Sequence, residues 1–439
     1  MGRAFRHSRS PIVRMLSPLR DFLDTEASGA ILLTVGAGTA LIWANSPWSA
    51  SYESLWNSRA AVAVAGHTLE LDIRHWINDG LMTVFFLIVG LEIKRELSDG
   101  HLSSRRAALL PAAAALGGMV VPALLYLAIA GTTSPRGWAI PVATDIALGV
   151  GVLAVAGRRI PPSLRAFLLG LAIVDDIGAI FIIAVVYSTG VAGGWLAAAA
   201  AGVVATIVVR RFGVHRTSVF VVIGAFVWFS LHEAGIHPTI AGVLMGLLAP
   251  STPRISPELI DGDELMDLSD AEAAHTTTQI ARGSVSVVEW LQHVLHPWAS
   301  YVIVPIFALA NSGIAISVDG LRDAASSPIT WGVFFGLSAG KPIGIVLVTR
   351  ATIRAGLADQ PNGAAPRQIM GIGCAAGIGF TVALFITELA LTDPTERSQA
   401  KLAILAASIL SATVSSIILT KTPRHQPEPA TPIGTIDSQ

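Results

Sequence analysis

Charge is scarce in this sequence. Only 13% of its 439 residues are Asp, Glu, Lys or Arg, against roughly 25% in a typical soluble domain. Cysteine is nearly absent. Cys374 stands alone, so no internal disulfide can form and nothing signals an oxidising compartment. An excess of positive charge is missing too, and a formal net charge of -1 argues against nucleic acid as a partner. What the chain has instead is apolar length. Hydrophobic residues make up 52% of it, and they come in blocks such as 107–130, 166–187 and 331–349. Blocks of about 20 apolar residues match a hydrocarbon core about 30 Å thick. A water-soluble enzyme is excluded, and an all-α polytopic membrane protein is expected.

Hydropathy gives twelve spans: 28–44, 76–93, 107–130, 138–157, 166–187, 194–209, 217–231, 238–250, 298–316, 331–349, 369–391 and 402–420. The eighth is short enough to be re-entrant. With the N-terminus inside, 22 Lys and Arg fall in inside segments and 6 in outside segments, while Lys341 lies within a span. An error of one span would scramble that alternation, so the asymmetry supports both count and orientation. Residues 1–27 carry Arg3, Arg6, Arg9, Arg14 and Arg20 without an apolar run, and read as a cytoplasmic tail; an Arg- and Ser-rich transit peptide is the other reading. Residues 421–439 read as a second cytoplasmic tail, Pro-rich and disordered. Residues 251–296 form an inside loop, whose part 251–281 is acidic and solvated. Between spans one and two, in the outside loop 45–75, Leu69, Leu71 and Ile73 alternate with Glu70 and Asp72. That period of two fits a β-hairpin as well as an irregular loop.

Four ionisable residues lie near the middle of spans: Asp145, Asp175, Asp176 and Lys341. Insertion scales put each at about +2.5 to 3.5 kcal/mol, on the order of 10 kcal/mol together. They must face the bundle interior, paired, hydrated or neutralised. Three acids and one base cannot all pair, so at least one carboxylate is left for a proton, a cation or water. On a helix, Asp175 and Asp176 point about 100° apart, so one can meet an ion while its neighbour meets Lys341. Pro141 disfavours regular helix just before Asp145. Span eleven carries Gly371, Gly373, Gly377 and Gly379. The Gly373-to-Gly377 spacing alone reads as close helix packing. Together with the proline in span four it suggests two broken helices near the bilayer middle. Carboxylates, the Thr144 hydroxyl and freed carbonyls are hard oxygen donors suited to a hard cation. Clustered carboxylates in a low dielectric cannot all stay ionised. Such a site holds protons or a cation, and alternating exposure turns that competition into exchange.

At these residues the chain resembles the NhaA family of Na+/H+ antiporters. The resemblance runs from about Asp21 to about Thr420. It rests on WINDGLMTVFFLIVGLEIKREL (76–97), GWAIPVATDIALGVGVLA (137–154), FLLGLAIVDDIGAI (167–180), EAGIHPTIAGVLMG (233–246), HVLHPW (293–298), GKPIG (340–344) and GIGFT (377–381). It implies twelve helices, with spans three to five and ten to twelve as inverted repeats and with spans four and eleven broken and crossing. It implies electrogenic, pH-regulated export of Na+ or Li+ against protons, two protons per sodium, without a cofactor. By motif, Asp145 and Asp176 resemble the sodium- and proton-binding carboxylates, with Thr144 beside them. Asp175 resembles the acid that pairs with the lysine, here Lys341, as a salt bridge or proton carrier. Glu92, Glu96, Arg95, His237, His293 and His296 match the pH-responsive region; residue types alone make Glu92, Lys94, Arg95 and Glu96 an interfacial charge cluster. The resemblance also implies a homodimer through the external hairpin, in a bacterial inner membrane with both termini cytoplasmic. Gln292 departs from the glutamate the family commonly has there, and the acidic stretch 251–281 is longer than expected. His232-Glu233 misses HExxH because residue 236 is Ile, which excludes that zinc site. Two other functions fit buried acids in a membrane: an intramembrane aspartyl hydrolase, which the chain's lack of GxGD disfavours, and a sodium-coupled solute symporter.

Overall fold

The computed structural model describes residues 28–64, 67–98, 100, 104–188, 190–214, 216–252 and 285–422. The expected tail 1–27, most of the acidic stretch and the C-terminal tail from 423 lie outside the described residues. Eight helices are long and apolar enough to cross a bilayer: Ile73–Ser98, Arg106–Ala130, Pro135–Ala156, Pro162–Val186, Gly193–Arg211, Val287–Asn311, Pro328–Arg354 and Pro394–Thr420. Two further pairs pass as bent units, Ser28–Ala44 with Ser49–Trp56 at 118° and Pro366–Ala376 with Phe380–Ala390 at 43°. Thr217–Glu233 and Thr239–Leu248 are shorter apolar helices. Each of the twelve expected spans falls on one of these. Thr239–Leu248, at about 15 Å, reaches only halfway across a hydrocarbon core.

The alternating residues after span one do form a hairpin. Strand β1, Arg59–Val64, pairs antiparallel with β2, His67–Asp72, with Arg59 opposite Asp72 and Val62 opposite Leu69. Arg59 and Glu70 form an exposed ion pair at 3.1 Å.

Two boundaries differ from expectation. The ninth span begins at Val287 instead of residue 298, so 287–296 is helix, not loop. Ser286 caps it, accepting the Glu289 amide at 3.1 Å. Gln292, His293 and His296 interrupted the hydropathy signal there without interrupting the helix. The twelfth begins at Pro394, where Asp393 accepts the Thr395 and Glu396 amides at 2.7 and 3.1 Å. The Glu396 and Thr395 amides hold the Asp393 carboxyl below the ordinary carboxylate range.

Span four is a tight 3-10 turn over Pro135–Val142, then extended backbone at Ala143 and Asp145, then α-helix over Ile146–Ala156. Span eleven stops at Ala376 and restarts at Phe380. The glycines between are required by close approach. A Cβ on Gly377 would lie 2.6 Å from the Leu337 carbonyl oxygen, and one on Gly379 would lie 2.7 Å from Leu337 Cδ2 and 3.1 Å from the Ala143 oxygen. So the glycine run serves both readings, packing and helix break. Span ten widens into a π turn over Gly336–Gly340 directly before Lys341, a distortion that often accompanies functional sites.

Spans two and eight pack on backbone. A Cβ on Gly242 would sit 2.1 Å from the Thr83 oxygen and 2.9 Å from the Leu87 nitrogen. Gly242→Val is therefore expected to destabilise by at least the 1–3 kcal/mol typical of overpacking, roughly. A melt of the detergent-solubilised protein checks this, and an unchanged melting temperature would contradict the contact.

Candidate functional site

The two breaks meet. The Asp145 amide donates to the Ile378 carbonyl at 2.6 Å, and the Thr144 hydroxyl donates to the Ala376 carbonyl at 3.0 Å. Backbone groups freed by one break thus find partners in the other, as a low-dielectric interior demands.

Asp145 is fully engaged. As N-cap of Ile146–Ala156 it takes the Leu148 amide on Oδ1 at 3.0 Å. Its Oδ2 accepts from the Thr381 amide at 3.0 Å and the Thr381 hydroxyl at 2.7 Å. These donors and the helix N-terminus all favour a carboxylate over an acid.

Asp175 and Lys341 form a buried pair, with Nζ donating to Oδ2 at 2.5 Å. Lys341 also donates to Thr144 Oγ1. The other oxygen of Asp175 is buried, and no hydrogen bond reaches it among the described residues.

Asp176 differs from both. It is 7% exposed, and no hydrogen bond reaches it among the described residues. The charges that bear on it come, in order, from Asp175, Glu92, Lys341 and Asp145. Adjacent in sequence and turned apart on Pro162–Val186, Asp175 meets the lysine while Asp176 faces elsewhere.

The structure thus brings together Thr144, Asp145, Asp175, Asp176 and Lys341, with Glu92 within electrostatic reach. Glu92 itself responds to Glu96 and Arg95. His293 and His296 lie on the exposed face of their helix. His237 lies elsewhere again, 3.5 Å from Asp79 and against the Phe385 ring. Gln292 has a buried side-chain oxygen that no hydrogen bond reaches among the described residues. Among the described residues no three His, Cys, Asp or Glu side chains converge as for a resident metal. Sequence reasoning passed over Thr381 although it ends the GIGFT motif, because nothing in a threonine at a helix start marks it as a carboxylate partner.

The sequence profile of the family described as Na+/H+ antiporter 1 matches residues 20–419. The chain belongs to that family. Among family members, Na+/H+ antiporter NhaA 2 of Sorangium cellulosum is 43% identical over 92% of this chain and 90% of its own length. Na+/H+ antiporter NhaA 2 of Myxococcus xanthus is 44% identical over 91% of this chain and 88% of its own. The sodium proton antiporter MjNhaP1 of Methanocaldococcus jannaschii superposes with a TM-score of 0.50 at 13% identity, covering 94% of this chain and 95% of that one. At that identity the likeness speaks for the fold alone. The antiporter family is one of transporters, not enzymes.

Breaking a buried ion pair by removing one partner typically costs 3–5 kcal/mol, because it strands a charge. Lys341→Ala is expected to lower the melting temperature, and adding Asp175→Leu should recover part of the loss. A melt of Lys341→Ala equal to the wild type would contradict the pairing with Asp175.

Proposed function

We propose that this chain is an electrogenic antiporter exchanging Na+ or Li+ for protons, with cation and protons competing for Asp145 and Asp176. The observation that carries this reading is the charge balance of the site. Lys341 neutralises Asp175. That leaves two buried carboxylates, Asp145 and Asp176, without a basic partner. Two protons satisfy them, or one sodium ion does so in part. Exchanging one for the other moves net charge across the bilayer.

Asp176 is the open ligand, since among the described residues no donor occupies its oxygens. Asp145 is the second, and the Thr381 donors keep it in the charged form that a cation requires. Thr144 bridges the two halves of the site, accepting from Lys341 and donating to the span-eleven break. Alternating access then follows if the two broken spans and Lys341 shift together between the two aqueous sides. The hydrolase reading fits less well, because both oxygens of Asp145 are already hydrogen-bonded and do not present a pair of acids to one water.

Regulation by pH fits Glu92, which links Asp176 electrostatically to Glu96 and Arg95. We assign His237 to the outer face and His293 and His296 to the inner face as further responsive groups. Cytoplasmic placement of both termini fits the distribution of Lys and Arg, and a bacterial inner membrane fits the bacterial relatives. A homodimer would form through the external hairpin, whose residues Arg59–Val62 are exposed.

Reconstituted in proteoliposomes, the wild type should acidify or alkalinise the lumen only when sodium is added. Asp176→Asn is expected to abolish that flux and Asp145→Asn to reduce it at least tenfold. Exchange like the wild type in either variant would overturn this site.

A further inference from the structure

A second buried charge cluster lies outside the site described. Glu388, near the end of Phe380–Ala390, pairs with Lys401 at 2.6 Å and Arg397 at 3.3 Å. Lys401 is only 8% exposed. Arg397 Nε also donates to the Leu391 carbonyl at 2.6 Å, capping the end of the same short helix. Arg74, itself 3.3 Å from Glu53, adds its field to both Glu388 and Lys401.

Both basic residues sit in the first turns of Pro394–Thr420, and those turns hold more than Glu388. Glu396 accepts from Ser134 at 3.2 Å, just before the 3-10 turn of span four. Gln399 accepts from Ser327 at 2.6 Å, just before span ten. One short stretch therefore grips the starts of spans four and ten and the end of span eleven. These three spans carry Asp145, Lys341 and Thr381. On Phe380–Ala390, Glu388 follows Thr381 by seven residues, nearly two full turns. The two thus share a face, about 10 Å apart.

We propose that the Glu388–Lys401–Arg397 cluster is a positioning clamp, holding the short helix so that Thr381 stays on Asp145 and setting how that carboxylate meets the transported cation. The inference rests on Asp145 being a cation ligand. Glu388 touches no transported ion and acts through Thr381. Donors to a carboxylate favour its charged form, which is the form that takes a cation. Loosening the clamp weakens those donors, so a higher sodium concentration is needed at fixed pH.

The test is sodium-dependent proton flux in proteoliposomes. Glu388→Gln alone strands the Lys401 charge, so the main variant is Glu388→Gln with Lys401→Met, which removes both charges. It should raise the KM for sodium threefold to tenfold with kcat within twofold. In a Thr381→Val background the same pair of changes should add less than twofold. Glu388→Asp, which keeps the charge, should fall between the wild type and the neutral pair. A KM within twofold of the wild type in the neutral pair would overturn the clamp. So would a full additive effect in the Thr381→Val background, or a loss of kcat that tracks thermal stability. If the neutral pair does not fold, Glu388→Asp decides: an unchanged KM there also overturns the proposal. Failure of the wild type to exchange would instead overturn the antiport reading, and an unchanged KM in Asp145→Asn would overturn the role of Asp145.

Discussion

The structure is organised around carboxylates that hydrocarbon will not tolerate unassisted. Asp145, Asp175 and Asp176 share one buried region with a single base. Each receives a different remedy. Asp175 takes the lysine. Asp145 takes a helix N-terminus and the two donors of Thr381. Asp176 takes no hydrogen bond from the described residues. Much of the surrounding architecture supplies those remedies. The break in span four creates the helix start that Asp145 caps. The break in span eleven places Thr381 at a second helix start, and the π turn in span ten precedes the lysine. Backbone groups released at the breaks find partners across them: the Asp145 amide on Ile378, the Ala376 carbonyl on Thr144 and the Thr381 amide on Asp145.

The fold was legible wherever physics acts on a long window. Runs of about 20 apolar residues marked the spans, and the arginine and lysine asymmetry set their alternation. Asp145, Asp175, Asp176 and Lys341 were legible because a charge inside such a run is costly enough to demand a reason. Legibility failed where the signal is local or amphipathic. Val287–Trp298 looked like loop because one face carries Gln292, His293 and His296, yet Val288 is buried in the contact with Leu91. Hydropathy leaves Lys401 just ahead of the span 402–420, whereas the helix begins at Pro394 and buries it against Glu388. Each of those residues alone sits near a span end, where charge is ordinary; only their meeting across two spans is informative. Thr381 escaped for a simpler reason. Threonine is common in membrane helices, and its hydroxyl becomes significant only once a carboxylate is seen 2.7 Å away.

The two breaks are built by different chemistry, and the difference has consequences. Span four breaks through a proline and an acid that caps the following helix. Span eleven breaks through glycines that allow Leu337 and Ala143 to approach its backbone. The carboxylate therefore belongs to the stiffer element, and its hydroxyl partner belongs to the more yielding one. A shift of Phe380–Ala390 changes the hydrogen bonding of Asp145 while leaving its Leu148 cap in place.

That arrangement sets an energy scale for exchange. Hydrogen bonds to a charged group contribute roughly 1.5–3 kcal/mol each. Two from Thr381 are thus comparable to the few kcal/mol that separate populated conformations of a protein. In the proposed exchange, a cation arriving at Asp145 meets a carboxylate that these donors keep charged, and a departing cation leaves one that is still held. An aspartate in hydrocarbon that no cation could reach would keep its proton. One paired as Asp175 is with Lys341 would yield to neither proton nor sodium. Neutral donors, weaker than a lysine and stronger than bare hydrocarbon, place Asp145 between those extremes, where a change of partner on each cycle stays affordable in free energy.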